Sequence, residues 1–526
     1  MKKLTLFSLF TKIAAIVLLL APISISANPD DLFEADAGSG IIYKFTPAGT
    51  KSMFTSGINN PAGLAFDASA NLFVAELNTG TIYKFTRTGT KTTFATGLNG
   101  PGGLAFDAAG NLFEGDSSGG TITKITPAGT KSTFASGLNG PGGLAFDSSG
   151  NLFEPDQFSG SIYKFTPAGT RTTFATLLQR PVALAFDVSG NLFESDRDSG
   201  NIFKFTPAGM QTTFASGLDH PVGLAFDSSG NLFEADRNTA AINKFTPGGT
   251  KTAFASGLNS PAGLAVQPGQ LTNISTRLEV LTGNSVLIAG FIISGTDNKQ
   301  VLVRSLGPTL TQFGVSGALA DTTIELHNGA GAIIATNDNW KDTQQAAIMA
   351  TGKAPRNDLE SAILITLAPG NYSAIVRGKN GITGVALAEV YDLDQAVNAT
   401  LTNISTRGFV DTGVNVMIGG LISSSGNTRV LVRTLGPTLS QFGVPNVLAD
   451  PTLELHNANG VLIASNDNWM DTQAAAIQAS GKAPPNPSES AIIITKPAGS
   501  GTAIVRGKNN TTGNALVEVY TLPPGP

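Results

Sequence analysis

Cysteine is absent from the 526-residue chain, which excludes a disulfide framework and a lipid-modified N-terminal cysteine. Beyond the N-terminal leader, no apolar run approaches the ~18 residues needed to cross a bilayer. Lysine and arginine form no basic stripe, so nucleic acid is not expected as a partner. Neither a serine-histidine-aspartate set nor a Walker loop, zinc signature or cofactor fingerprint occurs. These absences favour a non-enzymatic protein.

The N-terminal 27 residues have the order of a secretory signal, with lysines first, then an apolar run, then small residues up to Ala27. We expect residues 1–27 to be removed and the protein to be secreted or held at the cell surface, with the periplasm as a third location. An uncleaved anchor is the alternative. Losing Lys2, Lys3 and Lys12 takes the formal net charge from -5 to -8.

The main feature present is a repeat of 40 residues, which opens on proline at 61, 101, 141, 181, 221 and 261. Each unit holds four short apolar runs, typified by GLAFD, NLFEAD, IYKFT and TTFAS. Glycine, asparagine and proline mark the turns between them. Four strands in ~40 residues indicate one blade of a β-propeller.

The two ends of the repeat region complement each other. The chain enters at a second strand, residues 31–36, and leaves after a lone first strand, residues 261–266. Together these strands complete one blade, and closure removes open sheet edges. We therefore predict an all-β chain with a six-bladed propeller over residues 28–267, closed by a strand from each end.

The unit PxGLAFDxSGNLFEADxxSGxIYKFTPAGT resembles the NHL repeat over residues 31–266. The resemblance implies the propeller fold and says little about function. A WD40 propeller is disfavoured because the only tryptophans, Trp340 and Trp469, lie outside the repeats. The sequence departs from the NHL pattern in its second strand, where glutamate usually replaces an apolar residue.

That glutamate needs an explanation, because a buried carboxylate is costly unless it is paired. If the hairpin to the third strand sets Asp36 opposite Ile42, each glutamate faces a lysine. The predicted structural ion pairs are Glu34–Lys44, Glu114–Lys124, Glu154–Lys164, Glu194–Lys204 and Glu234–Lys244, with Val74 facing Lys84 in the remaining blade. The alternatives are a ring of carboxylates near the axis that holds a hard cation, or solvent-facing side chains.

A second acid follows two positions later and lies where the strand turns. We expect it to accept hydrogen bonds from turn amides. These acids are Asp36, Glu76, Asp116, Asp156, Asp196 and Asp236.

One face of the propeller varies among the repeats, because the turns after the second and fourth strands differ most. We predict that this variable rim recognises a ligand, with neutral drift of exposed loops as the alternative. Its arginines suit an acidic sugar, a carboxylate or a phosphate. His220 is the only histidine in the propeller, and a role as a catalytic base is its less favoured interpretation. The candidate residues are Gln157, Phe158, Arg180, Arg197, Asp198, Asp219, His220, Arg237 and Asn238.

A second duplication follows the propeller, since LTNISTR opens at 271 and again at 401. We predict two β-sandwich or jelly-roll modules, residues 268–394 and 401–526, joined by a linker at 395–400. The stretches IELHNGAGAIIATND and APGNYSAIVRGKNGITG resemble pre-peptidase C-terminal modules of secreted bacterial proteins. That resemblance implies an appended sandwich that attaches or spaces the propeller.

Each C-terminal copy carries an NDNW turn whose oxygen atoms suit Ca²⁺, the one cofactor that the sequence suggests. The candidate ligands are Asp338, Asn339 and Asp342, and in the second copy Asp467, Asn468 and Asp471. Their spacing differs from that of an EF-hand, so a turn capped by aspartate over a packed tryptophan is the other interpretation. His327 and His456 recur at equivalent strand positions and are expected to be core or edge residues.

The pattern as a whole favours a monomeric binding protein that recognises an extracellular carbohydrate, small molecule or protein, with paired modules adding avidity. The alternative is a propeller enzyme, either a metal-dependent hydrolase similar to gluconolactonases or a lyase similar to streptogramin lyases. The first strands are nearly identical and place small residues at the axis. Such uniformity leaves little chemistry at the centre.

Overall fold

The computed structural model describes residues 30–395, 397–413, 415–424 and 426–524. The expected signal at 1–27 lies outside these residues. The described chain is built almost entirely from antiparallel β-sheet, as predicted, with two short α-helices. Within those ranges, no helix has the length and apolar character of a membrane span.

Six four-stranded sheets form the propeller. The strands, in chain order, are β1 (Leu32–Asp36), β2 (Ile41–Phe45), β3 (Lys51–Ser56), β4 (Pro61–Phe66), β5 (Leu72–Glu76), β6 (Thr81–Phe85), β7 (Lys91–Ala95), β8 (Pro101–Phe106), β9 (Leu112–Asp116), β10 (Thr121–Ile125), β11 (Lys131–Ser136), β12 (Ala145–Phe146), β13 (Leu152–Asp156), β14 (Ser161–Phe165), β15 (Arg171–Ala175), β16 (Pro181–Phe186), β17 (Leu192–Asp196), β18 (Asn201–Phe205), β19 (Gln211–Ala215), β20 (Pro221–Phe226), β21 (Leu232–Asp236), β22 (Ala241–Phe245), β23 (Lys251–Ser256) and β24 (Pro261–Val266).

The first blade is closed by both ends of the repeat region, as predicted. Its strand order is β24-β1-β2-β3, and Leu32 lies opposite Val266 across the junction. Each remaining blade is continuous in sequence. The repeat region begins at the second strand of a blade and ends with the first strand of that same blade. The first blade is therefore completed by strands from both ends of the repeat region.

Phenylalanine side chains pack the blades together. The ring of Phe33 meets Phe54 of its own blade and Phe66 of the next blade edge-on, with centroids 5.1 and 5.2 Å away. Edge-to-face pairs of this kind contribute about 0.5–1.5 kcal/mol each beyond their buried area. The contact recurs around the propeller, for example where Phe153 meets Phe186. Repeated aromatic contacts thus replace the disulfides that the chain lacks.

The C-terminal half contains sixteen strands, two α-helices and four short 3₁₀ segments among its described residues. The strands are β25 (Leu271–Val280), β26 (Leu287–Gly295), β27 (Lys299–Leu306), β28 (Thr322–Asn328), β29 (Ile333–Asn337), β30 (Ser361–Leu367), β31 (Gly370–Gly378), β32 (Gly384–Asp392), β33 (Ala399–Val410), β34 (Met417–Ser423), β35 (Thr428–Leu435), β36 (Pro451–Asn457), β37 (Leu462–Asn466), β38 (Ser490–Lys496), β39 (Gly499–Gly507) and β40 (Gly513–Thr521); the helices are α1 (Gln345–Ala350) and α2 (Ala474–Ala479), and the 3₁₀ segments are Pro308–Phe313, Lys379–Gly381, Pro437–Phe442 and Lys508–Asn510.

The two C-terminal repeats share their sheets. Strand β25 pairs with β32 of its own repeat and with β34 of the second repeat, whereas β33 pairs with β40 and with β26 of the first repeat. Two eight-stranded paths result, β30-β27-β32-β25-β34-β39-β36-β37 and β38-β35-β40-β33-β26-β31-β28-β29. Each path takes four strands from each repeat.

A single apolar core lies under both paths. It includes Leu278 and Leu326 from the first repeat together with Val410 and Leu455 from the second. Strand β33 already begins at Ala399, inside the predicted linker. The duplication in sequence therefore produces one composite domain in which neither repeat completes its own sheets.

This composite domain covers the face of the propeller that carries the uniform turns. Arg87, which replaces the proline found at this place in the other repeats, donates from Nη1 to Gln270 Oε1 at 2.5 Å. A Cβ atom on Gly150 of the propeller would lie 3.7 Å from the Cα atom of Ala476 in α2. The first strands of the six blades surround a central tunnel, and we call its end at the composite domain the lower end. Buried Arg429 lines this lower end together with residues of the first strands such as Phe186. Burial lowers the pKa of Arg429 to about 10.

Candidate anion-binding site at the propeller mouth

The opposite end of the tunnel opens on the variable rim. Here the residue that follows the turn acid in each second strand faces a cavity of about 300 Å³. The repeat places one such side chain per blade, so six positions form a ring. We call this ring and its cavity the mouth; the ring residues are Ala37, Leu77, Ser117, Gln157, Arg197 and Arg237.

Glycine on the first strands makes the tunnel wall possible. A Cβ atom on Gly63 would lie 2.0 Å from the carbonyl oxygen of Gly102, and one on Gly223 would lie 2.1 Å from that of Ala262. Neighbouring first strands therefore approach too closely for side chains at these positions. The wall consists of backbone and small side chains, as the sequence predicted, and specificity is left to the ring above it.

Backbone hydrogen bonds fix the ring positions. The amide of Arg197 donates to Arg180 O at 2.9 Å, and the amide of Arg237 donates to His220 O at 3.1 Å. Below them the buried carboxylate of Asp196 accepts from the amides of Gln179 at 2.7 Å and Arg180 at 3.2 Å. The predicted role of the turn acids is thus confirmed, and the same bond recurs from Asn259 to Asp36.

Positive charge is concentrated on one side of the mouth, where Arg180, Arg197 and Arg237 line the cavity. Burial and the neighbouring Arg197 lower the pKa of Arg180, and the same two causes, in the same order, lower that of Arg237. The acid beside them is Asp198, whose Oδ1 lies 3.0 Å from Arg197 Nε. Three guanidinium groups with one carboxylate leave a net positive site.

The arginines are held in place and keep donors available. The Arg180 guanidinium lies 4.8 Å from the ring centroid of Phe158, which fixes it by a cation–π contact. Its Nε is buried without a hydrogen-bond partner among the described residues. Arg237 donates from Nε to Ser260 Oγ at 2.6 Å. The remaining guanidinium N–H groups can therefore serve a ligand.

The other predicted rim residues form a separate cluster. Asn238 Nδ2 donates to Asp219 Oδ1 at 2.9 Å, and His220 Nδ1 lies 3.1 Å from the same oxygen. None of these three lines the mouth in the described structure. The nine candidates thus divide into four lining residues, two supports (Phe158 and Asp198) and this outer cluster.

The predicted glutamate–lysine pairs are wrong by one residue of register. Asp36 lies opposite Ile41, so Glu34 faces Tyr43 and Lys44 faces Phe33. A slip of one residue moves a side chain to the other face of the sheet. The same register sets apart Glu114 and Lys124, Glu154 and Lys164, Glu194 and Lys204, and Glu234 and Lys244.

Each lysine instead pairs with an aspartate outside the second strand. In the first blade this is Asp31, directly before that strand, and in the other blades it is the aspartate that follows the first strand. The nitrogen-to-oxygen distances run from 2.9 Å for Lys44–Asp31 to 3.8 Å for Lys204–Asp187. Lys84 makes the same contact with Asp67 at 3.5 Å, which shows that the pair does not depend on the glutamate. The full set is Lys44–Asp31, Lys84–Asp67, Lys124–Asp107, Lys164–Asp147, Lys204–Asp187 and Lys244–Asp227.

The five glutamates are fully buried between blades. Burial, reinforced by the turn acid two positions on, raises the pKa of Glu154 to about 9 and that of Glu194 well above its usual range. Neither carboxyl of these two has a hydrogen-bond partner among the described residues. Burial therefore favours the neutral form of these acids, and they do not line the mouth. No cluster of metal-ligating side chains occurs in the described chain, so the ring-of-carboxylates alternative has no support.

The predicted Ca²⁺ turns are neutralised by lysine. Lys379 Nζ lies 2.6 Å from Asp338 Oδ2 and 3.9 Å from Asp321 Oδ2. Asn339 donates from Nδ2 to Asp342 Oδ2 at 3.1 Å, which ties the two ends of the turn together. In the second copy the corresponding contacts are Lys508–Asp467, Lys508–Asp450 and Asn468–Asp471.

Trp340 is buried beneath the first of these turns and donates from Nε1 to Asn357 O at 3.1 Å. This arrangement fits the structural interpretation of the NDNW motif. The two histidines are also structural, since His327 Nδ1 lies 3.0 Å from Gly331 O and His456 Nδ1 lies 3.1 Å from Gly460 O. In the second copy, Trp469 is buried at the same place, and among the described residues it lacks the hydrogen bond that Trp340 makes.

Sequence reasoning missed several residues that matter to the site. Ala37, Leu77 and Ser117 occupy the same repeat position as Gln157 and Arg197, so alignment of the repeats alone could have placed them in the ring. Arg87 was also detectable, as the one departure from proline in its turn. Arg429 had no such signal, because its role depends on how the C-terminal domain docks.

No family model matches the chain, and no curated protein matches it. Solved structures do. A nidogen/laminin complex matches with 21% identity over 45% of this chain and 98% of the other, at a TM-score of 0.42. Virginiamycin B lyase from Staphylococcus aureus matches with 16% identity over 47% of this chain and 88% of the other, at a TM-score of 0.39. A protein of unknown function from Bacteroides caccae matches with 12% identity over 45% of this chain and 98% of the other, at a TM-score of 0.39.

These similarities stop at the propeller fold. The class that the structure itself defines is a six-bladed β-propeller with a composite β-domain docked on one face and an arginine-lined mouth on the other.

Proposed function

We propose that the chain is a secreted or cell-surface binding protein with NHL-type repeats, and that its mouth binds a small anionic molecule. One observation carries this proposal: Arg180, Arg197 and Arg237 line one cavity whose described lining contains no carboxylate, and the acid that flanks them, Asp198, lies outside that lining. Guanidinium groups present paired donors that match carboxylate and phosphate oxygens. The ligand class is therefore a compact carboxylate or phosphate, of which an acidic sugar is one example.

The shape of the mouth supports a small molecule more than a protein surface. Its volume of about 300 Å³ is at the lower end of ordinary ligand pockets. Across the ring from Arg197 and Arg237 lie Leu77 and Ser117, of which Leu77 suits the carbon skeleton of the ligand and Ser117 a hydroxyl group on it. An anionic head and a short apolar or hydroxylated body would fill both sides.

Access supports the same assignment. The lower end of the tunnel is lined by Asn427, Arg429 and Thr495 of the C-terminal domain, which lie over it. A ligand must then enter from the rim that carries the arginines. In this proposal the composite domain supports the propeller and presents the mouth outward.

Catalysis is the weaker alternative because the mouth lacks acid–base groups. Along the described lining there is no aspartate, glutamate, histidine or lysine side chain. Proton transfer in a hydrolase or lyase needs a positioned group of this kind. Ser117 lines the cavity without a base beside it among the lining residues. The arrangement favours recognition without turnover.

The test is calorimetric titration of residues 28–526 with inorganic phosphate, citrate and glucuronate, with glucose as the neutral control. We expect at least one anion to bind at low ionic strength and to weaken with added salt. Arg197→Gln should weaken that binding about tenfold or more, since a charge-assisted hydrogen bond is worth about 1.5–3 kcal/mol.

Arg171→Gln is the matched control, because Arg171 lies on the outer strand of a blade over Tyr163 and away from the mouth. Its affinity for the anion should equal that of the native chain. Equal losses in both variants, or no anion binding by the native chain, would refute the proposal.

A further inference from the structure

The two C-terminal repeats differ at one packed position in a way that opens a cavity. In the first repeat the ring of Tyr372 stacks on Phe291, with centroids 5.5 Å apart and planes inclined by 24°. Its hydroxyl donates to Ala368 O at 2.8 Å. The aligned residues of the second repeat are Gly501 for the tyrosine and Leu421 for the phenylalanine. The second repeat has therefore lost both rings.

A cavity of about 150 Å³ lies where these rings are missing. Its wall is mainly apolar, and Leu421, Val430, Leu455 and Ile494 contribute to it. We call it the Gly501 pocket. Its volume is about that of engineered apolar cavities that hold a benzene molecule. One aromatic ring is thus the largest rigid group that it suits.

A buried lysine replaces a leucine at the edge of this pocket. Lys496 aligns with Leu367 of the first repeat. Its ammonium group donates to Ser423 Oγ at 3.1 Å, Pro497 O at 3.0 Å and Gly499 O at 2.5 Å, and these acceptors are neutral. The side chain is 7% exposed. Burial lowers its pKa to about 8, with no carboxylate nearby to oppose the shift.

The methylene groups of Lys496 pass beside Gly501, where the first repeat has the base of the Tyr372 side chain. A Cβ atom on Gly501 would lie 2.8 Å from Lys496 Cε. The glycine and the lysine therefore go together, because the long side chain needs the space that glycine leaves. The exchange brings a positive charge to an apolar pocket of single-ring size.

We propose that the Gly501 pocket binds a small aromatic acid, with its ring in the apolar space and its carboxylate on the ammonium group of Lys496. The ring takes the place that Tyr372 fills covalently in the first repeat. Because three neutral oxygens already accept from the ammonium group, the carboxylate takes the place of the Ser423 hydroxyl as an acceptor and supplies the counter-charge that the neutral acceptors do not. This site is separate from the mouth of the propeller and does not depend on the function proposed for it.

The test uses benzoate and phenol as probes, with binding to residues 28–526 followed by ligand-detected NMR and calorimetry. We expect benzoate to bind with a Kd of about 1 mM or below, and phenol to bind more weakly. Lys496→Met should remove the preference for benzoate and leave phenol binding, because the apolar space remains.

The matched control is the double variant Lys496→Leu with Gly501→Tyr, which installs the first-repeat residue at both positions. It restores two of the three first-repeat residues, with Leu421 still in place of Phe291. A thermal melt checks that it folds, and it should lose benzoate binding about tenfold or more. Binding is compared in the Arg197→Gln background, in which any benzoate held at the mouth is weakened, so that the remaining signal reports the Gly501 pocket. Arg171→Gln, on an outer strand of the propeller, should leave that signal unchanged. Absence of benzoate binding, or undiminished binding by the double variant, would overturn the proposal.

Discussion

Replacing Glu154 with glutamine should change the pH dependence of propeller stability. The carboxyl of Glu154 is fully buried, and both of its oxygens lack a hydrogen-bond partner among the described residues. Burial and then the charge of Asp156 raise its pKa from 4.5 to about 9. Folding above the unfolded pKa therefore requires the carboxyl to take up a proton.

The sign and size of the effect follow from this shift. The folded state is not penalised below pH 4.5, where the carboxyl is protonated in both states. As the pH rises from there to the folded pKa, stability falls by about 1.4 kcal/mol per pH unit. At pH ~7.5 the penalty reaches about 4 kcal/mol. Glutamine does not titrate; relative to the equally unpaired protonated carboxyl it adds one further buried donor, at a constant cost of about 1–3 kcal/mol.

The two costs cross within an accessible range. We expect Glu154→Gln to be less stable than the native chain at about pH 5 and more stable at about pH 8. Urea unfolding of residues 28–526 at a series of pH values measures the difference. Glu325→Gln, at a half-exposed site in the C-terminal domain, is the control and should show no crossing.

The converse variant is available in the one blade without the glutamate. Val74→Glu should introduce the same loss of stability with rising pH, because Val74 is as fully buried as Glu154. If Glu154→Gln and the native chain gave parallel curves from pH 5 to 8, the carboxyl would be ionised in the folded state. The assignment of a neutral buried acid would then be wrong.

Three further predictions concern the lysine pairs, domain docking and strand exchange. Lys244→Ala and Lys84→Ala should lower the melting temperature equally, because each lysine pairs with a turn aspartate at 3.3 and 3.5 Å; the loss should be about 0–1 kcal/mol each, and a larger loss for Lys244 would restore a role for the glutamate. Arg87→Pro, the consensus residue of the turn, should loosen the C-terminal domain, which limited proteolysis between residues 266 and 271 would detect as faster cleavage; unchanged cleavage would contradict that docking role. Residues 268–394 expressed alone should give the dispersion-poor NMR spectrum of an unfolded chain, whereas 268–526 should be folded, and a folded 268–394 would contradict the exchange of strands.

The propeller was predictable because its determinants are local and repeated. The period, the turn residues and the complementary fragments at 31–36 and 261–266 fix the strand count and the closure. The variable rim was also visible, since copies of one unit can be compared position by position. Comparison of the copies alone picks out Arg197 and Arg237 as departures from the smaller residues at the same position of the first three blades.

The register of one hairpin was not predictable in the same way. Residues Asp36 and Ile41 flank the turn, one position away from the pairing expected with Ile42. The sequence permits both registers. Packing against the neighbouring blades selects the register in which Phe33 and Glu34 are both buried and Glu34 lies opposite Tyr43. That single residue decides whether the recurrent glutamate is an ion-pair partner or a neutral acid.

The strand order within a blade, the number of blades and the identity of the variable face can all be read from the sequence, because they depend on turns and on strand periodicity within 40 residues. Which residues of distant blades and repeats meet is specified only by the folded structure. It brought Arg180, Arg197 and Arg237 to one mouth, docked Arg429 against the other end and exchanged β25 and β33 between the repeats. Contacts between distant segments depend on shape and burial, which no short stretch of sequence specifies.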